Sequence, residues 1–121
     1  MKRNTLGDWG EQVAAQYLEH KGYQVTERQY RTCWGEIDLI AQKGEFLVFV
    51  EVKLRKDAHF MQAVEAVTKR KQEKLRLTAL MYQTEHDTEA LQPRFDVIEV
   101  YAPFGKRTQF PRVVHWENAF W

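Results

Sequence analysis

The sequence has little that would staple, anchor or export it. A single cysteine, Cys33, excludes an intramolecular disulfide and any cysteine-cluster zinc site. No apolar run approaches the roughly 18 residues of a membrane span. The opening Met1-Lys2-Arg3-Asn4-Thr5 is basic but has no apolar signal core behind it, so export is not expected and the cytoplasm is the expected compartment. His20, His59, His86 and His115 lack the close spacing of a metal motif such as His-Glu-x-x-His, and the six glycines form no phosphate-cradling loop of the Walker or Rossmann kind. No internal repeat or low-complexity linker is visible. Nor is there an excess of one charge: the net value of +1 neither requires nor forbids a polyanionic partner.

What remains is the composition of one packed domain spanning 1–121, with 44% hydrophobic, 13% aromatic and 29% charged residues. Its organising stretch is Gly35-Glu36-Ile37-Asp38-Leu39-Ile40 followed by Phe49-Val50-Glu51-Val52-Lys53. Two apolar runs flank a Lys43-Gly44 turn signal, and each carries charges where a buried strand tolerates them only if paired, hydrogen-bonded or metal-bound. If Lys43-Gly44 is a two-residue turn, Gln42 pairs with Glu45, Asp38 faces Phe49, and Glu36 faces Glu51. Glu36, Asp38, Glu51 and Lys53 then share one face, with Asp38 and Glu51 roughly 7–8 Å apart as diagonal neighbours. A four-residue loop keeps that parity; a three-residue loop reverses it and sends Asp38 to the side of Val48 and Val50.

The rest of the chain reads as α-β-β-β-α-β-β, a mixed sheet flanked by helices. Thr5-Leu6-Gly7-Asp8 resembles a capped helix start. Leu6, Trp9, Val13, Ala14, Tyr17 and Leu18 recur at helical steps, which predicts a helix over 5–21. Glu11 lies off its densest apolar stripe. Strands are predicted over 23–30, 36–42, 45–54, 94–101 and 112–116, with a terminal turn over 118–121. After a turn at 57–60, one long helix is expected over 61–84, with Val64, Val67, Leu75, Leu77, Leu80, Met81 and Tyr82 among its buried residues. Basic residues cluster at Lys53, Arg55 and Lys56 and again at Lys69, Arg70, Lys71, Lys74 and Arg76; the plainest account of such clusters is a solvated face.

Asp38 and Glu51 supply the carboxylate oxygens a hard cation such as Mg²⁺ takes, and the Val52 carbonyl adds a further one. Such an ion lowers the pKa of an attacking water, while Lys53 orients that water or stabilises charge on the phosphorane. The competing account is a plain ion pair of Lys53 with Glu51, or with Glu36, beneath a helix.

A strand acid followed about a dozen residues later by Glu-x-Lys, here Asp38 and Glu51-Val52-Lys53, resembles the PD-(D/E)xK nuclease superfamily with its restriction endonuclease-like core. More closely, the chain resembles the YraN family of small bacterial proteins. That likeness rests on Gly7-x-x-Gly10-Glu11, Ala14, Leu18, Gly22-Tyr23 and Gly35-Glu36-Ile37-Asp38-Leu39-Ile40. It continues through Val48-Phe49-Val50-Glu51-Val52-Lys53-x-Arg55, Lys71 and Arg94-Phe95-Asp96-Val97. It departs at Arg28-Gln29, where the family usually shows Arg-Asn. The resemblance implies that Glu11 joins Asp38 and Glu51 around Mg²⁺ or Mn²⁺, as in Holliday-junction resolvases, with Glu36 and Arg28 in support. It also implies that Arg55, Lys56, Lys69, Lys71 and Lys74 contact phosphates without reading sequence.

The expectation is therefore a metal-dependent nuclease acting on nucleic acid, DNA in preference to RNA, branched or flapped DNA included, with no membrane partner. Two alternatives stay open. One is a nucleic-acid-binding domain of the same fold that does not cut. The other is a protein-interaction domain whose Phe110, Trp116, Phe120 and Trp121 dock a partner or a second copy in a homodimer.

Overall fold

A computed structural model describes residues 5–56 and 67–120. Helix α1 (Leu6–His20) is followed by strands β1 (Gln24–Thr32), β2 (Gly35–Lys43) and β3 (Phe46–Arg55). Helix α2 (Lys69–Glu85) comes next, then β4 (Gln92–Tyr101) and β5 (Arg112–Phe120). The strands form one sheet in the order β1-β2-β3-β4-β5, antiparallel except for the parallel β3–β4 pair that brackets α2. This is the mixed, helix-flanked sheet and the element order expected from the sequence. No described helix is long and apolar enough to cross a membrane.

Helix α1 begins where the sequence places it. The Thr5 hydroxyl accepts from the Asp8 amide at 3.0 Å and the Asp8 carboxylate accepts from the Thr5 amide at 3.2 Å, a reciprocal cap worth about 1 kcal/mol. Ala14, Ala15 and Leu18 then bury against Leu39, Ala41, Val48, Val50, Ile98 and Val100 on one side of the sheet. On the other side, Leu75, Ala79 and Tyr82 of α2 cover Ile40, Leu47, Phe49, Phe95 and Val97. The alternation Leu47/Phe49 against Val48/Val50 makes β3 a central strand buried on both faces.

Four expectations change. The β2–β3 turn lies one residue further on, with Lys43 opposite Phe46 and Gly44-Glu45 as its centre. Gly44 adopts φ +57°, and a two-residue hairpin accepts glycine at its first central position. The register therefore moves by two residues: Ile40, not Asp38, faces Phe49, and the last pair of the ladder is Leu39 with Val50. The even shift keeps the expected alternation over Leu39–Lys43 and Phe46–Val50, but Ile37 shares a cluster with Ile40, so that alternation does not carry on through Asp38 to Glu36.

Secondly, α2 starts at Lys69, because Thr68 is extended (φ −64°, ψ 161°) and caps the helix by accepting from the Lys71 amide. The expected turn at 57–60 and the expected helical residues 61–66, Val64 among them, lie outside the described residues. Thirdly, Leu77, Leu80 and Met81 point to solvent instead of the core. Leu75, Ala79 and Tyr82 form one helical stripe and Leu77, Leu80 and Met81 another; the sheet takes only the first. Fourthly, β5 runs on to Phe120 in place of the short strand and terminal turn. It passes an irregularity opposite Phe95–Val97, where Asn118 adopts φ +52°. Phe120 is buried and stacks on Phe95 with ring centroids 5.3 Å apart, so it is a core residue and not a docking residue. Trp121 lies outside the described residues.

Candidate active site

The site forms where the sheet departs from regularity. The β2–β3 ladder ends at Leu39 and Val50, and one residue further on the Asp38 carboxylate accepts the Val52 amide at 2.8 Å. The side chain thus takes a backbone donor of the neighbouring strand. Across the other edge of β2, Gln29 lies between Arg28, partner of Leu39, and Tyr30, partner of Ile37, and adopts φ +52°. Ile37 joins Ile40 in the cluster beneath α2, although regular alternation would set them on opposite faces. Distortion at Gln29 and Asp38 opens the sheet locally.

Carboxylates converge in that opening. Oxygens of Glu11, Glu36 and Asp38 all lie within 4.8 Å of one another. Glu11 comes from α1, one turn beyond the cap, and is held by the Gln29 amide, which donates to Glu11 at 3.0 Å and to Asp8 at 2.8 Å. Glu36 also accepts from Arg31 at 3.2 Å. Glu51 stands apart from this trio and is engaged by lysines: Lys71 of α2 at 2.7 Å and Lys53 at 3.7 Å. The cleft, about 200 Å³, is lined by Gly35, Glu36, Asp38, Glu51, Lys71, Lys74 and Leu75.

Electrostatics sets Asp38 apart. Burial, then the charges of Glu51 and Glu11, push its carboxyl up to about 8, against the pull of the Val52 amide. Burial also raises Glu11, with Glu36 and Asp8 adding to it, although the hydrogen bonds from Gln29 and with Asp38 pull the other way. Lys53 is lowered, first by burial and then by the neighbouring Lys71 and Arg55, despite the attraction of Glu51. Lys71 is raised: burial opposes its charge, but its bond to Glu51 outweighs the burial. A polyacidic opening beside two lysines suits a hard divalent cation and a phosphate together.

The remaining predicted residues divide by position. Lys74 reaches the cleft wall beside Lys71. Arg55 is tied to the buried Glu99 at 3.4 Å. Lys56 and Lys69 are exposed. Arg28 is exposed on β1, and it is its neighbour Gln29 that touches Glu11.

Sequence reasoning passed over two further buried acids, Asp96 and Glu99, that sit in the apolar run Phe95-Asp96-Val97-Ile98-Glu99-Val100. The same signal that drew attention to Asp38 and Glu51 was present there. Asp96 receives two bonds from Arg94 (2.9 and 2.8 Å), one from the Asn118 amide (2.9 Å) and a contact from His115 Nε2 at 2.6 Å. Burial raises it, yet the His115, Arg94 and Asn118 bonds together hold it below the ordinary carboxylate range. Glu99 accepts from Trp116 at 2.9 Å and from Arg55. These acids are saturated by their own side of the sheet, which fits a structural role. Asp38 is crowded by further acids instead.

Residues 10–100 match the model of the family described as "Uncharacterised protein family UPF0102". A UPF0102 protein of Caldanaerobacter subterraneus is 43% identical over 120 residues, covering 99% of this chain and 98% of the relative. One from Syntrophomonas wolfei is 41% identical over 115 residues (95% and 96%), and one from Rhodococcus opacus 39% over 116 (96% of each). With matches of that extent over the helix, the meander and the site strands alike, the chain belongs to the UPF0102 family, the YraN family.

Proposed function

We propose that the protein is a metal-dependent nuclease hydrolysing phosphodiester bonds of nucleic acid, DNA in preference to RNA. The observation that carries this is the convergence of Glu11, Glu36 and Asp38 within 4.8 Å, at the mouth of a cleft walled by Lys71 and Lys74. Asp38, Glu11 and Glu36 would hold Mg²⁺ or Mn²⁺, with the Val52 carbonyl as a further oxygen donor and Glu51 as the acid across the cleft. The chemistry such an ion supplies is an acidified water and neutralisation of phosphoryl charge.

The chain's own groups do the rest. Asp38, whose proton is retained first by burial and then by the charges of Glu51 and Glu11, would release it to a bound cation's field. Lys53, 3.7 Å from Glu51 and with its pKa lowered by burial, would orient a water or protonate a leaving oxygen. Lys71 and Lys74 offset phosphate charge along the cleft. The test is cleavage of duplex, single-stranded, flapped and four-way-junction DNA, and their RNA counterparts, with Mg²⁺ or Mn²⁺. Asp38→Asn and Lys53→Ala are each expected to lower the rate on the order of 100-fold or more. Activity that survives both substitutions overturns the assignment.

One observation favours a second reading, a domain that binds nucleic acid without cutting it. Lys71 already neutralises Glu51 at 2.7 Å, occupying an acid that the motif assigns to the ion. Salt-sensitive binding with no turnover and no calorimetric Mn²⁺ signal would select it.

A further inference from the structure

The loop between β4 and β5 carries features that the cleft does not use. Phe104 is 77% and Phe110 90% exposed, the two most exposed large apolar side chains among the described residues. Floppiness does not account for this. Gly105 at φ +60° starts a 3-10 turn (Gly105–Arg107) closed by Gly105 N to Ala102 O at 3.0 Å, Arg107 N to Phe104 O at 3.2 Å and Thr108 N to Gly105 O at 3.0 Å. The Thr108 hydroxyl also accepts from the Phe104 amide at 3.1 Å. A built turn thus holds an aromatic ring out in water.

Its charge is one-sided. From Val100 to Trp116 there is no acid, whereas Lys106, Arg107 and Arg112 are basic. Arg112 lies over the Tyr101 ring with its guanidinium carbon 4.5 Å from the centroid.

The loop also stands at the cleft's end of the sheet. Lys53 pairs with Glu99 and Arg55 with Tyr101, and the Ala102 amide, where the loop begins, donates to the Arg55 carbonyl at 2.8 Å. Two to three strand residues separate Lys53 from the loop, about 7–10 Å, or roughly three nucleotide steps along a duplex strand. From the other side, a Cβ at Gly105 would lie 3.7 Å from Leu6, five α1 residues before Glu11 and so about 7.5 Å along the helix axis.

We infer that this loop is a stacking site for unpaired nucleobases, with Phe104 and Phe110 as platforms and Lys106, Arg107 and Arg112 holding the adjoining phosphates. Exposed rings interleaved with cations match the two faces of a single strand, a flat base and an anionic backbone. Regular duplex offers the phosphates but keeps its base faces stacked. The site therefore recruits flaps, forks and ends, and places the junction with duplex at the cleft. This rests on the reading of the cleft as a phosphodiesterase site and adds its substrate class.

The test uses the full chain in EDTA, so that binding is read without turnover. Fluorescence anisotropy compares a forked duplex bearing an unpaired DNA or RNA arm with a blunt duplex of equal length, and 2-aminopurine in the arm reports stacking. The wild type is expected to bind the fork on the order of tenfold more tightly than the blunt duplex. The two arms show which sugar is preferred. Phe104→Ala with Phe110→Ala should abolish that preference and the 2-aminopurine quench, with blunt-duplex affinity within about twofold of wild type and thermal melting unchanged. Tryptophan at both positions should restore the preference. Lys106→Gln with Arg107→Gln should weaken fork and blunt duplex alike and reduce the salt slope by about two.

Equal wild-type affinity for fork and blunt duplex overturns the inference. So does a preference that survives the double alanine substitution, or a dimer that the same substitution dissociates, which would place the face between copies. If forks are bound through these phenylalanines but never cleaved with Mn²⁺, the nuclease reading and the substrate class built on it fail, and the base-stacking site alone stands. If cleavage is normal while the alanine variant keeps its preference, this inference alone fails.

Discussion

Without a cation, Asp38 makes the protein less stable as the solution becomes more alkaline. Its carboxyl is pushed from an ordinary 3.8 to about 8, first by burial and then by Glu51 and Glu11. A carboxyl whose folded pKa lies above its unfolded value binds its proton more tightly in the folded state. Its stabilising contribution is complete below pH 4 and is lost as pH rises towards 8. Each pKa unit corresponds to about 1.36 kcal/mol. Between pH 5 and pH 8 the loss could reach about 4 kcal/mol, and relaxation and water entry around a buried acid bring the expectation to about 2–3 kcal/mol. For a chain of this size that is a fall in Tm of roughly 10 °C. Glu11 is raised as well and acts in the same sense, whereas Asp96 is held low and loses its contribution only below about pH 4. The assay is thermal unfolding by circular dichroism in EDTA across pH 5 to 8, for wild type and Asp38→Asn. The variant should melt higher than wild type at pH 8 and show a much flatter profile. Saturating Mn²⁺ should recover more of the wild-type Tm at pH 8 than at pH 5. If Asp38→Asn shows the wild-type slope, or wild type melts higher at pH 8, the crowding ascribed to Asp38 is refuted.

Other perturbations separate the cleft from its scaffold. Lys71→Met leaves Glu51 with Lys53 alone at 3.7 Å, and with Lys71 partly solvated it should cost about 1 kcal/mol in urea unfolding. The same substitution should tighten Mn²⁺ binding by calorimetry, since it frees an acid; weaker binding would mean that Lys71 organises the ligands and does not compete with them. Asp96→Asn takes the shared negative charge and one of two acceptor oxygens from Arg94 and His115 in a buried network and should cost about 3–5 kcal/mol by denaturant titration. A loss below about 1 kcal/mol would show that the network adds little to stability.

Much of this architecture was legible because it follows local rules. Thr5-x-x-Asp8 marks the start of α1, and the doubled apolar run of β3 marks a strand buried on both faces. The paired part of β2 and β3 kept its parity even though the turn moved, since Gly44 suits the first turn position and the shift was even, but the parity ends at Leu39. Glu36 was harder to read. Hairpin parity groups it with the other acids, and the family resemblance gave it a supporting part. The structure brings its carboxylate to Glu11 and Asp38 because β2 distorts at Asp38 opposite a left-handed Gln29, which neither alternation nor pairing encodes. The outward Leu77, Leu80 and Met81 were illegible for another reason: α2 carries two apolar stripes, and only the sheet beneath it decides between them. The partners of Asp96, drawn from β4 and β5, meet only through tertiary contact.

The two left-handed residues in the strands have a consequence beyond the acids they serve. An open five-stranded sheet leaves β1 and β5 as its outer strands, and a flat outer strand with unpaired backbone groups is a template for edge-to-edge polymerisation. Gln29 breaks one outer strand and Asn118 the other, each at φ +52°. Gln29 turns its side chain inward to Glu11, and Asn118 directs its amide to Asp96. Protection from aggregation and anchoring of an interior carboxylate thus reside in the same residue at each border. Substitutions that made either border more regular would loosen an acid inside the protein while exposing a straighter edge to other chains.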